Sequence, residues 1–313
     1  MRPRDQALAQ RLAETVNLFD KNKHSLLGVQ TPESFGVFIE QLLESIHRVK
    51  YVPVLQTRVL SKKSADPDSD MCDPVKAAIF QQRDGNIDEA FWLVFLLTPF
   101  GRHRLAGWWY VQQVYGRLGD GSRWTWDSVI NNPDGFRQWL NDNQGKLQSG
   151  NTHHGFGNHR KRESLDAYSR GGTGAIVTSY VTWAIPYGSH ENLIQDAYRQ
   201  VGDKAEVVFD YLFQSMYAIT RFVRTALFDY LTMIGHMALA NIKPGKVYLV
   251  GATGPKYGAK LLFMGDRSAK IPLATLESWL SEFAVQLGVG MQELEDALCN
   301  WQKSPEVFRK YRG

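Results

Sequence analysis

Cysteine is nearly missing from this 313-residue chain: Cys72 and Cys299 are the only two. A pair of cysteines builds no disulfide framework, and these two match no zinc-ligand spacing. Such a composition suits a reducing cytoplasm. Long apolar runs are missing as well. The longest, Ala90 to Leu97, has eight residues, whereas a membrane helix needs roughly 20, so no membrane association is expected. The opening stretch MRPRDQALAQ holds no apolar core and no small-residue cleavage site, so no secretory signal is expected either. Neither sign of charge dominates: 36 Lys+Arg face 32 Asp+Glu, a net +4. That permits nucleic acid without demanding it. Internal repeats and low-complexity tracts are absent. What the chain does have in excess is aromatic: 9 Trp, 13 Tyr and 16 Phe make up 12% of it, enough to fill a core and leave faces for a ligand.

The periodicity is helical almost throughout. Leu8, Leu12, Val16 and Phe19 recur at spacings of four, four and three, which predicts an amphipathic helix over 5–20. Thr31 followed by Pro32 and Glu33 reads as an N-cap with Pro at the first helical position, and Phe35, Phe38, Leu42 and Ile46 carry that helix on. Residues 61–74 are polar and Pro-bearing, a surface loop. Residues 86–98 form a buried aromatic helix around Phe91, Trp92 and Phe95, with 104–118 as its antiparallel neighbour. Asp203 is placed to cap a long helical stretch reaching about Asn241, and helices follow at 272–287 and 291–303. Strand signals are confined to Tyr51–Leu55, Ile176–Ile185 and Val247–Val250. The expected fold is mainly α.

Residues 141–174 break the pattern, with no apolar period for over 30 residues. Loops that long are functional or disordered as a rule. This one carries His153, His154, His159, Arg160, Lys161, Arg162 and Arg170 against Glu163 and Asp166. One reading is a solvated flexible loop. The other is a basic, Gly-hinged loop that orders on a polyanion. Asn158, His159, Arg160 and Lys161 offer amide, imidazole, guanidinium and ammonium donors for phosphate or base edges. A metal site at His153, His154 and His159 lacks a carboxylate at an established spacing, so no metal is assigned.

The stretch KPGKVYLVGATGPKYGAKLLF (243–263) carries the clearest chemical signal. Gly251, Gly254 and Gly258 allow positive φ and close backbone approach. A helix starting near Pro255 aims free N–H groups at an anion. Over 240–270, six Lys or Arg face Asp266 alone, a local net +5 that exceeds the +4 of the whole chain. A dinucleotide site needs a second strand with an acidic residue about 20 positions on, and the downstream text is helical. A P-loop needs Lys-Ser/Thr after its last glycine, and Gly258 is followed by Ala259, Lys260 and Leu261. A helix–hairpin–helix turn fits loosely, its glycines one residue too far apart. Beside these stands the structural alternative, a Gly-rich turn between packed helices.

The stretches FGNHRKRESL (156–165), RFVRTALFDYLTMIG (221–235), YLVGATGPKYGAKLLF (248–263) and EDALCNW (295–301) follow one another in that order. Together they resemble the alpha-glutamyl/putrescinyl thymine pyrophosphorylase family, clade 3, over about residues 85–303. That resemblance implies a helical DNA-glycosylase-like fold with a helix–hairpin–helix-like turn, and a division into an N-terminal helical region (1–84) and a compact catalytic region (85–313). It implies a cytoplasmic enzyme of anti-phage defence that excises a hypermodified pyrimidine, best matched by glucosylated hydroxymethylcytosine, from double-stranded phage DNA. No cofactor and no obligate protein partner are called for. The alternatives are a pyrophosphorylase or transferase of thymine hypermodification and a non-catalytic DNA-binding module.

N-glycosidic cleavage needs a carboxylate against the developing sugar cation and aromatic faces for the extruded base. Asp229, set among Leu227, Phe228, Tyr230 and Leu231 with Arg224 nearby, is the first candidate. Its alternative role is an interhelical ion pair. Glu163 is the second candidate. The helical-glycosylase pattern puts the acid after the hairpin, where Asp266 comes too early and Glu295 or Asp296 rather late. Tyr180, Trp183, Tyr187 and Arg224 are expected at the base pocket, with Trp108, Trp109 and Tyr110 a second aromatic cluster. Asn158, His190 and Asn192 are candidates for sugar hydroxyls. Gly251, Thr253, Gly254, Lys256, Tyr257 and Lys260 are expected on phosphate. Cys299 reads as a small buried residue rather than a nucleophile.

Overall fold

A computed structural model describes residues 5–103, 105–149, 156 and 164–311. The described chain is mainly helical and carries no strand. In order run α1 (Gln6–Asn22), α2 (Pro32–Val49), α3 (Tyr51–Gln56), α4 (Pro74–Arg83), α5 (Ile87–Leu96), α6 (Trp109–Tyr115), α7 (Trp126–Asn131), α8 (Pro133–Ser149), α9 (Thr173–Ala184), α10 (His190–Val201), α11 (Ala205–Ser215), α12 (Arg224–His236), α13 (Gly254–Met264), α14 (Leu273–Leu287) and α15 (Met291–Trp301). No helix among the described residues is long and apolar enough to cross a membrane. Contacts group the chain into two compact units, cut at residues 51/52 and 243/244.

The first unit joins both ends of the chain, residues 1–51 and 244–312. Leu12, Val16 and Phe19 of α1 are buried as the spacing predicts, and Thr31 caps α2 by accepting the Ser34 N–H. Helix α15 packs against α2 and α13, and α1 against α14 and α2. The core closes on aromatic rings: Phe19 meets Phe283 at 4.7 Å, and Phe38 meets Trp301 edge-on at 5.1 Å. Polar ties add register. Ser45 Oγ donates to the Glu293 carbonyl at 2.7 Å, and Arg48 Nε donates to Asp296 Oδ2 at 2.9 Å.

The second unit, residues 52–243, is built around α5, whose run Ala90–Leu96 is wholly buried. Helices α4, α10, α12 and α7 pack on it, a cage that explains its all-round hydrophobicity. The neighbour packed along α5 is α4. Instead the His103 and Gly107 backbones pair with each other, and α6 covers only 109–115 and packs with α8. Trp92 Nε1 donates to the Trp124 carbonyl at 2.7 Å, fixing the entry to α7.

Several expectations are corrected. The strand candidates 51–55 and 176–185 are helical, and 247–250 is irregular. Ile176, Val177, Tyr180, Val181 and Ala184 are the buried positions of α9, a helical period that the β-branched content disguised. The long helix expected from Asp203 divides into α11 and α12. Lys204 occupies its N-cap position, without a side-chain cap. Residues 141–149 are the end of α8.

Candidate functional site

The Gly-rich turn lies in the first unit. Residues 237–253 hold turns and irregular backbone but no helix, so no first helix adjoins the turn and no helix–hairpin–helix unit forms. The missing strand at 247–250 likewise removes the dinucleotide reading. Val247, Tyr248 and Leu249 are buried, and the Leu249 N–H donates to Glu277 Oε1 at 2.6 Å. Gly251 takes φ +78°, the left-handed region that favours glycine, and Val250 beside it is 70% exposed. Gly254 and Gly258 have another reason to be glycine. A Cβ on Gly254 would lie 2.4 Å from Cys299 Sγ, and one on Gly258 would lie 2.4 Å from the Leu298 carbonyl oxygen. These two glycines let α13 close onto α15, the packing role weighed against ligand approach. The surface of the turn still presents Gly251, Thr253 and Tyr257, with Lys256 and Lys260 half-buried. Lys256 Nζ stands 5.6 Å from the Tyr257 ring centre and Lys246 Nζ 4.9 Å from that of Tyr248.

The second unit holds a buried polar chain. Asp88, in the first turn of α5, accepts at one oxygen, Oδ1, both the His190 backbone N–H and the ring Nδ1–H, each at 2.6 Å. His190 Nε2 lies 2.7 Å from Tyr180 Oη, and Tyr180 Oη lies 2.9 Å from Tyr230 Oη. His190, Tyr180 and Tyr230 are all buried. Burial raises the Asp88 carboxyl, but the ring and backbone hydrogen bonds from His190 outweigh it and hold it below its ordinary value. Burial pushes the His190 imidazole down against the opposing pull of Asp88. Burial and the neighbouring Tyr230 push the Tyr180 hydroxyl far up.

These states fix every hydrogen. A carboxylate accepts only, so Nδ1–H donates to Asp88. Nε2 is then a lone pair, Tyr180 donates to it, and Tyr230 donates to Tyr180. The carboxylate also faces the N-terminus of α10, where the helix dipole favours negative charge. Next to Asp88, Glu89 accepts from Tyr115 Oη and from the Trp126 N–H, both at 2.7 Å, and its burial raises its pKa.

Around this chain stands an aromatic wall. The Tyr180 and Phe95 rings stack with centres 3.7 Å apart, and Phe91 stacks on His190 at 4.7 Å. Trp126 lies 4.6 Å from His190, and Trp183 lies 5.8 Å from Tyr180. Asp229 immediately precedes Tyr230 on α12. Its residue is half-buried and its Oδ2 atom is buried. Arg224, at the first position of α12, is 4% exposed, with its guanidinium carbon 4.5 Å from the Phe228 ring centre.

Of the residues expected from sequence, Tyr180 and Trp183 therefore meet in one cluster, and Asp229 and Arg224 share α12. Tyr180 is wholly enclosed, so it packs the core and offers no open face to a base. His190 spends both ring nitrogens internally and has none for sugar hydroxyls. Asn192 Nδ2 donates to the Tyr187 carbonyl. Tyr187 is half-buried, and burial, with Tyr211 and Asp196, raises its hydroxyl pKa. Asp296 is engaged by Arg48. Asn158, His159, Arg160, Lys161 and Glu163 lie outside the described residues, as do His153 and His154. Among the described residues no group of three or more His, Cys, Asp or Glu is arranged to hold a metal ion. The sequence reading missed Asp88, Glu89 and Tyr230. A signal existed for the first two: adjacent carboxylates directly before a long apolar run, where a helix N-terminus favours them.

No curated protein matches this chain, and no solved structure does. A family model described as alpha-glutamyl/putrescinyl thymine pyrophosphorylase clade 3 matches residues 33–313, which extends the resemblance seen in the sequence through α2 and takes in the whole second unit and the first unit apart from α1 and the residues leading to α2. The chain belongs to the alpha-glutamyl/putrescinyl thymine pyrophosphorylase family, clade 3.

Proposed function

We propose that this protein is a DNA glycosylase of anti-phage defence that excises a hypermodified pyrimidine, glucosylated hydroxymethylcytosine, from phage DNA and leaves an abasic site. The observation that carries the reading is Asp229: a carboxylate with a buried oxygen, on a helix lined by Leu227, Phe228, Tyr230 and Leu231. As the glycosidic bond stretches, positive charge grows on the deoxyribose. A carboxylate in a poorly solvated site stabilises that charge strongly, or takes a proton from the attacking water. Water adds to the sugar carbon, the base leaves with the bonding pair, and a proton from solvent completes it. Glu163 remains the second carboxylate of the proposal. The lysines around 246–260, with Asn158–Lys161, supply the phosphate contacts.

The family name favours a second reading, a pyrophosphate-handling enzyme of thymine hypermodification. One assay separates the two. Purified protein is incubated with glucosylated phage DNA and with unmodified DNA, and released bases and abasic sites are measured by mass spectrometry. The glycosylase reading expects free modified base and abasic sites from modified DNA only, and a loss of at least a hundredfold in Asp229→Asn with DNA binding intact. No abasic sites in either DNA refutes it. Turnover of a phosphorylated hydroxymethyluracil base in DNA, with the glycosidic bond kept, establishes the second reading instead. If Asp229→Asn keeps full protection against phage, a non-catalytic DNA-binding module accounts for the protein.

A further inference from the structure

Four helices of the second unit are joined by the single chain Asp88–His190–Tyr180–Tyr230. Asp88 stands on α5, His190 on α10, Tyr180 on α9 and Tyr230 on α12. Packing by itself requires none of these polar atoms, because Phe in place of either tyrosine fills almost the same volume. What the hydroxyls add is direction. A hydrogen bond at the tip of a tyrosine acts at the end of a long lever from the helix axis, so the Tyr180–Tyr230 bond resists rotation of α12 about that axis. A second hold acts at the end of the helix, where the amides of Gln56 and Gln82 both donate to the Met237 carbonyl, at 2.6 and 2.5 Å. Asp229 lies just outside the span between these holds, one residue before Tyr230.

We infer that the Asp88–His190–Tyr180–Tyr230 chain is the positioning device of the Asp229 site: it fixes the rotation of α12 and thereby where the Asp229 carboxylate stands when the glycosidic bond breaks. The inference rests on the glycosylase reading of Asp229. None of the four residues touches substrate. Tyr180, His190 and Tyr230 are buried within the protein, and Asp88 anchors the far end with its side chain 34% exposed. They act through α12. The polarity of the chain follows from Asp88. Its carboxylate sets the His190 tautomer, the tautomer makes Tyr180 a donor, and Tyr180 is thereby left an acceptor for Tyr230. Removal of any link leaves Tyr230 free to choose another partner and α12 free to turn. A carboxylate misplaced by about 1 Å loses on the order of a hundredfold in rate, while binding of the DNA backbone is untouched.

The test uses the full chain and single-turnover base release from glucosylated phage DNA. Wild type, Asp229→Asn, Tyr180→Phe, Tyr230→Phe and the Tyr180→Phe/Tyr230→Phe double variant are compared, with Leu140→Ala, at a buried leucine of α8 in the same unit, as a ruler for plain destabilisation. Tyr230→Phe removes only the terminal hydroxyl and leaves three linked groups, which keeps one variant folded if Tyr180→Phe is not. The expected result is a maximal rate at least tenfold lower in each tyrosine variant, a half-saturating DNA concentration within twofold of wild type, and a double variant no slower than the slower single one, as for members of one unit. Leu140→Ala is expected to lower Tm without slowing the folded enzyme. Undiminished maximal rates in folded Tyr180→Phe and Tyr230→Phe, with wild type active and Asp229→Asn inactive, overturn the positioning role alone. Wild type without base release, or a fully active Asp229→Asn, overturns the reading of Asp229 and the inference with it.

Discussion

Replacement of Gly258 by alanine tests whether the Gly-rich turn is shaped by packing or by a ligand. A Cβ there would stand 2.4 Å from the Leu298 carbonyl oxygen and 2.9 Å from the Leu298 Cβ. Contacts of that kind need about 3.4 Å or more, so α13 and α15 must part by roughly 1 Å against a close-packed core. Overpacking of this type costs about 1–3 kcal/mol. Alanine returns up to about 1 kcal/mol in helix propensity. The net loss is about 1–2 kcal/mol, which lowers Tm by roughly 3–8 °C. Gly36 is the internal standard. It lies exposed in α2 of the same unit with nothing within 4 Å of its Cβ position, so Gly36→Ala keeps the propensity gain and raises Tm. Scanning calorimetry and urea titration on both variants decide the matter. If Gly258→Ala is as stable as wild type but binds DNA more weakly, the packing account fails and the glycine serves a ligand.

Three further outcomes follow from the same geometry. His190 has its pKa depressed by burial and so binds fewer protons folded than unfolded. Its contribution to stability is complete above about pH 6.5 and is lost as pH falls, with Asp88, also depressed, adding a loss of the same sign below its unfolded value of 3.8. Tm measured from pH 7 to 5 should therefore fall less steeply in His190→Gln than in wild type; parallel curves exclude a neutral buried imidazole. Glu89, raised by burial, acts in the opposite direction and drops out of that comparison because both proteins carry it. The Cys72 thiol is pushed up to about 11 by burial and by Asp73 and Asp66, so iodoacetamide at pH 8 should leave it unmodified in the folded protein and label it after denaturation, as read by peptide mass spectrometry. Rapid labelling of the folded chain would contradict that burial. DNA affinity should fall steeply with salt, and Lys256→Gln with Lys260→Gln should flatten that slope by about two counterions; an unchanged slope removes these lysines from the DNA contact.

Local signals in the sequence were sufficient for the helices that carry their own stripe or cap. Leu12, Val16 and Phe19 are buried where their spacing puts them, and Thr31 caps α2. Reading failed where one residue type argued against the period. Ile176, Val177 and Val181 suggested a strand, yet burial at 176, 177, 180, 181 and 184 decides for helix. The end of α8 was invisible for a different reason: beyond Leu140 it buries only Leu147, too little to show a stripe. The polar chain was unreadable in principle. Asp88 and His190 are 102 residues apart, and Tyr180 and Tyr230 are 50 apart. No window links them, and each alone looks like a core aromatic or a helix-start carboxylate. The first unit poses the same problem, since α1 and α2 find their core only when the last helices arrive.

The structure also changes what the local +5 of residues 240–270 can mean. In a helix–hairpin–helix turn the glycines expose backbone N–H groups to one phosphate, and the lysines are secondary. Here Gly254 and Gly258 are occupied with α15, and no helix leads directly into the turn. Only Gly251, at φ +78°, serves the bend itself. Any grip of this turn on DNA must then come chiefly from the lysine side chains and from Thr253 and Tyr257 at the surface. Such contacts are long-range, tolerant of sequence and weakened by salt. Contacts of that kind hold a duplex without choosing a base. On the glycosylase reading proposed above, selectivity for a modified pyrimidine is assigned to the second unit, where Asp229 stands on α12 and Trp183 and Tyr187 are only half-buried.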